Sequence, residues 1–457
     1  MRKVFYVLVA LVVVALALPA LNLIVARPTG TSLTTQSGAT AHAGLVAAIL
    51  EANCTNCHST EGKRPLYAGL PIARTAIRND VQEALQALDL TADFDPGTGE
   101  PIDEALLAKI EYQIDTKAMP PGRYRAMHWQ SHLHDGERAV LHDWIGSIRA
   151  AHYAPTEYEW AVRERVIQPL PRSVEVDPLK AALGEQLYHD TRLSGDNTIS
   201  CASCHDLARG GADGQRFSDG IGGRLGGINS PTTFNSAFQT SQFWDGRAAS
   251  LEEQADGPPN NPIEMGSSWA EIVAKLQKDA EFTRRFREAY PQGWSKESIS
   301  DAISEFERTL VTPNSRFDRY LIGDVGALAN DERHGWDLFQ WNGCQSCHMG
   351  KLLGGQSYEV MGRRADYFGE RGGVGPADLG RFNVTHDPAD RHRFKVPTLR
   401  NVALTAPYLH DGSAPDLRAA VRAMAKYQVG RELREADVDA LVRFLESLTG
   451  EYRGKQL

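Results

Sequence analysis

Residues 201–205 are Cys201-Ala202-Ser203-Cys204-His205, and the same Cys-x-x-Cys-His spacing recurs at residues 54–58 and 344–348. On a helical turn, positions i, i+3 and i+4 share a face, so two thiols and one imidazole point the same way. This is the spacing with which proteins attach c-type haem. A zinc site or a redox dithiol explains a single Cys-x-x-Cys pair, but hardly three copies that each end in histidine.

Every cysteine belongs to one of these motifs, which leaves none for a disulfide bond. The six are Cys54, Cys57, Cys201, Cys204, Cys344 and Cys347. The sequence therefore predicts three covalently attached haem c groups, with His58, His205 and His348 as iron ligands.

The N-terminus indicates where the protein works. Residues 4–26 carry no charge and lie between Lys3 and Arg27. Such a segment is either a cleaved signal peptide or an uncleaved anchor, and its length favours the anchor. With Arg2 and Lys3 inside, the body lies outside the inner membrane, in the periplasm. The net charge of -9 argues against a nucleic-acid partner, because no basic surface is available for phosphates.

Apolar residues recur at helical spacing along the chain, so the predicted fold class is mainly α. An apolar stripe at 135–150, a capping box at 268–271 and a stripe at 438–448 that Gly450 ends each predict a helix. A chain of this length calls for several domains. The expected order is a signal-anchor helix at 1–27, a tether at 28–43, a haem domain at 44–152, a linker at 153–172, and haem domains at 173–325 and 326–457.

The sixth ligand of each iron decides between electron transfer and catalysis. For the first haem the sequence favours Met119, which a proline follows, over Met127 and His128. Around the second haem, no histidine occurs between His205 and His334, and Met265 is the single methionine there. An open iron is therefore expected at His205. For the third haem, Met361 and Met424 are both candidates, and spacing alone leaves the choice open.

Further motifs give the chain a resemblance to bacterial dihaem cytochrome c peroxidases over residues 166–450. They are Leu193-Ser194-Gly195-Asp196, Asn229-Ser230-Pro231-Thr232, Phe243-Trp244-Asp245-Gly246-Arg247-Ala248, Val396-Pro397-Thr398-Leu399-Arg400-Asn401-Val402 and Leu409-His410-Asp411-Gly412. With the extra haem domain at 44–152, the whole resembles membrane-anchored trihaem forms that include quinol peroxidases.

The resemblance implies a role for each matching residue. The haem on His205 is expected to reduce hydrogen peroxide, and the haem on His348, with Met424 as distal ligand, to transfer electrons. Glu264 matches the acid/base carboxylate and Gln254 an active-site glutamine. Trp244 matches a tryptophan between the two haems. The calcium site of the family would fall on Asn229, Thr405 and Pro407. The electron donor implied is a quinol or a small c-type cytochrome, and a homodimer is one arrangement to test.

One position departs from the family pattern. Where many relatives carry a second histidine ligand to the peroxidatic iron, this chain has Ile221. Isoleucine cannot ligate iron, so an accessible site without reductive rearrangement is expected. Two alternatives remain: a multihaem cytochrome that only transfers electrons, and a relative that matures a tryptophan-derived quinone cofactor. The latter resembles this chain but carries tyrosine where Met424 stands.

Overall fold

The computed structural model describes residues 41–62, 64, 66–91, 102–128 and 132–457, and the chain divides after Tyr153 into two compact units. The predicted anchor at 4–26 lies outside the described residues. Within them, no helix is long and apolar enough to span a bilayer. The first helix of the described residues begins at Ala41, inside the predicted tether, since alanine favours helix.

The first unit packs its helices around one apolar core. The described helices are α1 Ala41–Asn53, α2 Pro71–Ala87, α3 Glu104–Asp115, α4 Gly122–Met127 and α5 Asp135–His152. Helix α5 confirms the stripe at 135–150, because Leu141, Trp144 and Ile145 are buried in a core with Leu50 and Leu107. Haem motif 54–58 follows directly at the end of α1.

The second unit, Ala154–Leu457, is also mainly α. Its helices are α6 Trp160–Arg163, α7 Pro178–Tyr188, α8 Cys201–Cys204, α9 Leu251–Asn260, α10 Trp269–Leu276, α11 Ala280–Ala289, α12 Lys296–Arg308, α13 Arg316–Leu321, α14 Asn330–Trp341, α15 Tyr367–Arg371, α16 Phe382–Thr385, α17 Leu417–Met424 and α18 Glu435–Glu446. Strand β1 Tyr358–Val360 pairs antiparallel with β2 Arg393–Lys395, Tyr358 opposite Lys395. Strand β3 Glu451–Tyr452 pairs antiparallel with β4 Lys455–Gln456.

Two helix pairs repeat the same packing, one pair for each haem motif of this unit. Helix α7 packs on α12, and α14 packs on α18. A Cβ on Gly184 would lie 1.8 Å from the carbonyl oxygen of Ala302, and one on Gly335 would lie 2.0 Å from that of Ala440. Only glycine permits this close approach. The second and third motifs therefore lie in similar helical surroundings.

Residues 165–170 of the predicted linker are part of the second unit's core rather than a free connection. Ile167 and Leu170 are buried, and the backbone N–H of Gly350 donates to the carbonyl of Val166 at 2.8 Å. The linker bounds 153–172 stay a prediction, although the apolar side chains between Pro155 and Pro171 pack against the third motif's domain.

Two predicted helix signals act differently from expectation. Ser268 caps α10 by accepting from the backbone N–H of Glu271 at 3.3 Å. However, the Glu271 carboxylate pairs with Lys275 at 2.9 Å instead of completing a capping box. Helix α18 ends at Glu446, before Gly450. Gly450 instead packs where a Cβ would lie 2.0 Å from the carbonyl oxygen of Thr312.

Candidate haem and peroxide site

The histidine of each Cys-x-x-Cys-His motif is held by one backbone carbonyl. The Nδ1 atoms of His58, His205 and His348 lie 3.1, 3.0 and 3.0 Å from the carbonyl oxygens of Leu88, Pro231 and Leu353. A carbonyl oxygen only accepts, so each Nδ1 carries the proton and donates. Each Nε2 therefore keeps the lone pair that binds iron.

None of the six motif cysteines forms a disulfide bond, and with the oriented imidazoles they form a set of side chains that fits haem c. Tyr188 donates from its hydroxyl to the carbonyl of His205 at 2.6 Å, which ties the second motif to α7.

Glu264 is a half-buried carboxyl in the turn after α9. Asn261 donates from Nδ2 to Glu264 Oε1 at 2.8 Å, while the other carboxyl oxygen has no donor within the described residues. Burial raises the pKa of Glu264, and the charge of Arg247 and the bond from Asn261 partly oppose this rise. A carboxyl with a raised pKa and a free oxygen is suited to accept and return a proton.

Ile221 lies directly beside Glu264. Its backbone N–H donates to the carbonyl of Glu264 at 2.8 Å. A Cβ on Gly220 would lie 1.9 Å from the carbonyl oxygen of Ile263, so the two loops are in backbone contact. The Ile221 side chain packs over Gly266, where a Cβ would approach it to 3.1 Å. The position that resembles a histidine ligand in relatives is therefore next to the carboxyl assigned to proton transfer.

Two other candidate residues near the second motif, Met265 and Gln254, differ in their contacts. Met265 is 3% exposed and packs in an apolar core with Leu193 and Ile272, which indicates a core residue. Gln254 is half-buried on α9, and its side-chain amide makes no hydrogen bond with the described residues. That amide is available to a ligand.

Trp244 joins loops that follow the second and the third haem motifs. Its Nε1 donates to the carbonyl of Asn229 at 2.8 Å, and its carbonyl accepts from the backbone N–H of Lys395. Its ring stands edge-on to His410, with centroids 6.4 Å apart. Trp244 also packs against the apolar cluster that includes Met361 and Met424. The structure thus brings Trp244 and Met424 to one place.

Met361 and Met424 have different surroundings, although both belong to this cluster. Met361 is 8% exposed, and Gln428 donates from Nε2 to its sulfur at 3.6 Å. Met424 is half-buried at the end of α17, where a π-helical turn begins at Ala425. The sulfur of Met361 accepts a weak hydrogen bond, and Met424 as the distal ligand stays a prediction.

A buried charge network that the sequence did not predict adjoins Trp244. His410 Nε2 lies 2.7 Å from Asp378 Oδ1, and Arg371 bridges Asp378 and Asp411. Although burial alone would raise the pKa of Asp378, the bond from Arg371 holds it at about 2. Tyr367 donates to the same Asp411 at 3.0 Å. Tyr367 and Arg371 lie on α15, whereas Asp378, His410 and Asp411 lie outside the α-helices, and no local spacing signals the contact of Arg371 with Asp411.

In the first unit, Met119 and His128 are placed differently. Met119 is 39% exposed and His128 is 3% exposed. The ring of His128 stacks on Tyr124 at 3.9 Å between centroids, and its Nδ1 faces the carbonyl of Tyr124 at 3.2 Å. Asn56, inside the first motif, donates to the Tyr124 hydroxyl at 2.7 Å. Met119 as sixth ligand stays a prediction, with His128 as its rival.

The loops expected to hold calcium lie side by side. The backbone N–H of Asn229 donates to the carbonyl of His410 at 2.8 Å, which brings Asn229 near the segment that holds Thr405 and Pro407. Asn229 donates from Nδ2 to the carbonyl of Gln215 at 2.9 Å. Within the described residues, no group of three or more His, Cys, Asp or Glu could hold a metal ion. Because the expected ligands are amide and backbone oxygens, the calcium site stays a prediction.

Comparison with known proteins identifies both halves of the chain. The model of a di-haem cytochrome c peroxidase family matches residues 178–326, and that of a haem-binding domain matches residues 16–147. Cytochrome c peroxidase Ccp of Escherichia coli (strain K12) is 48% identical over 88% of this chain and 87% of its own. Cytochrome c551 peroxidase of Nitrosomonas europaea is 44% identical over 62% of this chain and 84% of its own.

A solved MauG-like protein associated with microbial copper homeostasis superposes with a TM-score of 0.56 at 31% identity, covering 62% of this chain and 95% of its own. The peroxidase match extends over 88% of this chain and 87% of the relative, and the family model at 178–326 includes His205 and Glu264. This chain, a peroxidase-type oxidoreductase that binds haem c, therefore belongs to the di-haem cytochrome c peroxidase family.

Proposed function

We propose that the protein reduces hydrogen peroxide to water at the haem held by Cys201, Cys204 and His205. The observation that carries this proposal is the pairing of Glu264, a carboxyl with a free oxygen and a raised pKa, with Ile221 at the position of a ligand in relatives. Haem supplies the iron that binds peroxide and passes electrons to it.

Glu264 moves the proton on which the reaction depends. Two electrons and two protons convert one hydrogen peroxide into two waters. The ionised carboxylate takes the proton from the inner peroxide oxygen and returns it to the outer one, so that water can leave. Asn261 holds one carboxyl oxygen at 2.8 Å and thereby orients the other. The uncommitted amide of Gln254 hydrogen-bonds the peroxide and positions it.

The other haem motifs supply electrons in this proposal. Cys344, Cys347 and His348, with Met424 as a further ligand, would hold a second haem c that supplies electrons for the reduction; Trp244 bonds Asn229 and packs in the cluster that includes Met424. Cys54, Cys57 and His58, with Met119, would hold a third haem c that accepts electrons from a quinol or a small c-type cytochrome. The same proposal includes three haem c groups, a periplasmic location and a membrane anchor at 4–26. It also includes a calcium ion at Asn229 and assembly as a homodimer.

Two rival functions have support of their own. The likeness to a MauG-like structure favours an enzyme that matures a tryptophan-derived quinone, but that relative is expected to carry tyrosine where this chain has Met424. A cytochrome that only transfers electrons requires a protein ligand above His205. Met265 is the one methionine between His205 and His334, and its burial in an apolar core argues against it.

The deciding experiment measures peroxide turnover by the purified full-length protein, with a quinol and a reduced small cytochrome c tested side by side. We expect turnover with at least one donor, together with a high-spin ferric signal from one haem in three. Three low-spin haems and no turnover would instead identify an electron-transfer cytochrome. Oxidation of a tryptophan in a partner protein, without peroxide turnover, would identify the maturation enzyme.

A further inference from the structure

Helix α12 carries a row of buried polar side chains that peroxide reduction does not use. Ser300, Ser304 and Glu307 recur at helical spacing on one face of the helix and are 3%, 0% and 5% exposed. In the described chain, neither serine Oγ has a hydrogen-bond partner. Buried polar groups are normally paired, so two unpartnered hydroxyls in a row that ends at a buried carboxyl call for a ligand such as water.

One end of the row reaches the surface. A cavity of about 620 Å³ is lined by Ser300 together with Asp256, Tyr290 and Asp301. Helix α9 packs along α12, and the two are joined near this end by the ion pair of Lys296 with Asp256 at 2.5 Å. Protons from solvent therefore have access to the Ser300 end.

The other end of the row lies against the second haem motif. Phe306, the neighbour of Glu307 in sequence, packs in one buried cluster with Tyr188 and Cys201. The charge of Glu307 also acts on Cys201, because it raises the pKa of that thiol beyond the effect of burial. Glu307 therefore lies near the edge at which a haem would be attached through Cys201.

One cation, Arg308, acts on Glu307, and it already pairs with two other carboxylates. Tyr188 faces it from α7, Cys201 from α8 and Glu252 from α9. Arg308 on its own helix is bound to Glu252 and Glu305. Burial first, and Glu252 next, raise the pKa of Glu307 to about 8. Without haem the carboxyl is therefore mostly protonated at neutral pH, whereas the positive charge of an oxidised haem beside it would favour the carboxylate and loss of that charge on reduction would favour the acid.

We propose that Glu307 binds one proton when the haem at residues 201–205 gains one electron, and that Ser300 and Ser304 relay this proton from the surface cavity. The carboxylate becomes a carboxylic acid, so the electron and the proton enter the low-dielectric interior together and the net charge stays constant. Serine hydroxyls both donate and accept, which suits them, with ordered water, to a relay. The proposal rests on a haem at this motif, within the proposed function, but not on peroxide as the substrate.

The test is a redox titration of the full-length haem protein at several pH values on both sides of neutrality. In the wild type, the midpoint potential of one transition falls as pH rises. Glu307→Gln should abolish that slope and leave the other transitions unchanged, and Glu307→Asp should restore part of it. A slope of that transition that persists in Glu307→Gln, or a change in the slopes of all transitions, would overturn the proposal.

The relay is tested separately from the acceptor. Ser304→Ala should keep the equilibrium slope but slow proton uptake after rapid reduction severalfold, as followed with a pH indicator. Ser357→Ala is the matched control, because Ser357 is also buried with an unpaired Oγ but lies outside α12. Equal rates in the two variants would refute the relay.

Infrared difference spectra keep the proposal falsifiable if Glu307→Gln does not incorporate haem. Reduction of the wild type should produce the band of a newly protonated carboxyl, and its absence would contradict proton uptake at Glu307. A protein that retains the slope and the band but does not turn over peroxide would disprove the proposed function and leave this proton site standing.

Discussion

The replacement Glu264→Gln isolates the acid/base role assigned to Glu264. Glutamine keeps the size of the side chain, and its Oε1 can still accept from Asn261 Nδ2, a bond of 2.8 Å in the wild type. The loop should therefore stay in place and haem content should not change. What is lost is the ionisable oxygen. Because general acid–base catalysis contributes about 10²–10⁴-fold, kcat/KM for peroxide should fall by at least about 100-fold. That factor corresponds to about 2.7 kcal/mol in the activation barrier.

The assay is kcat/KM for hydrogen peroxide over a range of pH. The working form of Glu264 is the carboxylate, so wild-type activity should fall as pH falls through its pKa. Because burial raises that pKa, the loss should begin at a higher pH than for an exposed glutamate. Glu264→Gln should show a flat profile over this range.

The control for Glu264→Gln is Glu288→Gln, which neutralises an exposed carboxylate that pairs with Arg284 at 2.6 Å. It should behave as the wild type. If Glu264→Gln with full haem content keeps activity within about threefold of the wild type, the acid/base assignment is refuted.

Four further predictions follow from other contacts. Ile221→His should give a low-spin resting haem and slower turnover, and an unaltered resting spectrum would count against the alignment of this loop. Met424→Ala should remove one methionine-ligated low-spin signal, whereas Met361→Ala should keep that signal and cost about 2–5 kcal/mol of stability by leaving a cavity; the reverse pattern would assign the ligand to Met361. Asp378→Asn should lower the unfolding free energy near neutral pH by about 2 kcal/mol. This difference should shrink as pH falls from the ordinary pKa of 3.8 towards about 2, because the ionised form carries the stabilisation; a difference independent of pH would refute the charge network. Gly335→Ala should destabilise by roughly 1–3 kcal/mol through overpacking, while Gly136→Ala on α5, where nothing lies within 4 Å of a Cβ, should not; equal thermal stabilities would refute the close helix contact.

Much of the site was predictable from local spacing. The three Cys-x-x-Cys-His motifs predict haem c because attachment needs only residues on a single helical turn. The stripe at 135–150 and the cap at Ser268 likewise predicted α5 and the start of α10, since both signals lie within a few residues. The family resemblance then identified the chain as a peroxidase, which the comparisons confirm.

Other parts of the site could not be predicted because they depend on residues far apart in sequence. The contact of Ile221 with Glu264, and that of Arg371 with Asp411, join separate segments. The burial of residues 165–170 depends on a surface formed near Arg400 and Asp318. Prolines in that segment suggested a linker, but proline constrains only the local backbone and carries no information on what packs against it.

The sequence by itself determined the cofactor, the mainly helical class and the residues that can carry the chemistry, because each follows from side-chain type and short-range periodicity. Only the tertiary structure decided which imidazole nitrogen faces the iron, which methionine sulfur accepts a hydrogen bond, and which carboxyls are buried. These depend on the carbonyl, amide or apolar neighbour that folding brings into contact. Burial and hydrogen bonding change the chemistry of a side chain without changing its identity.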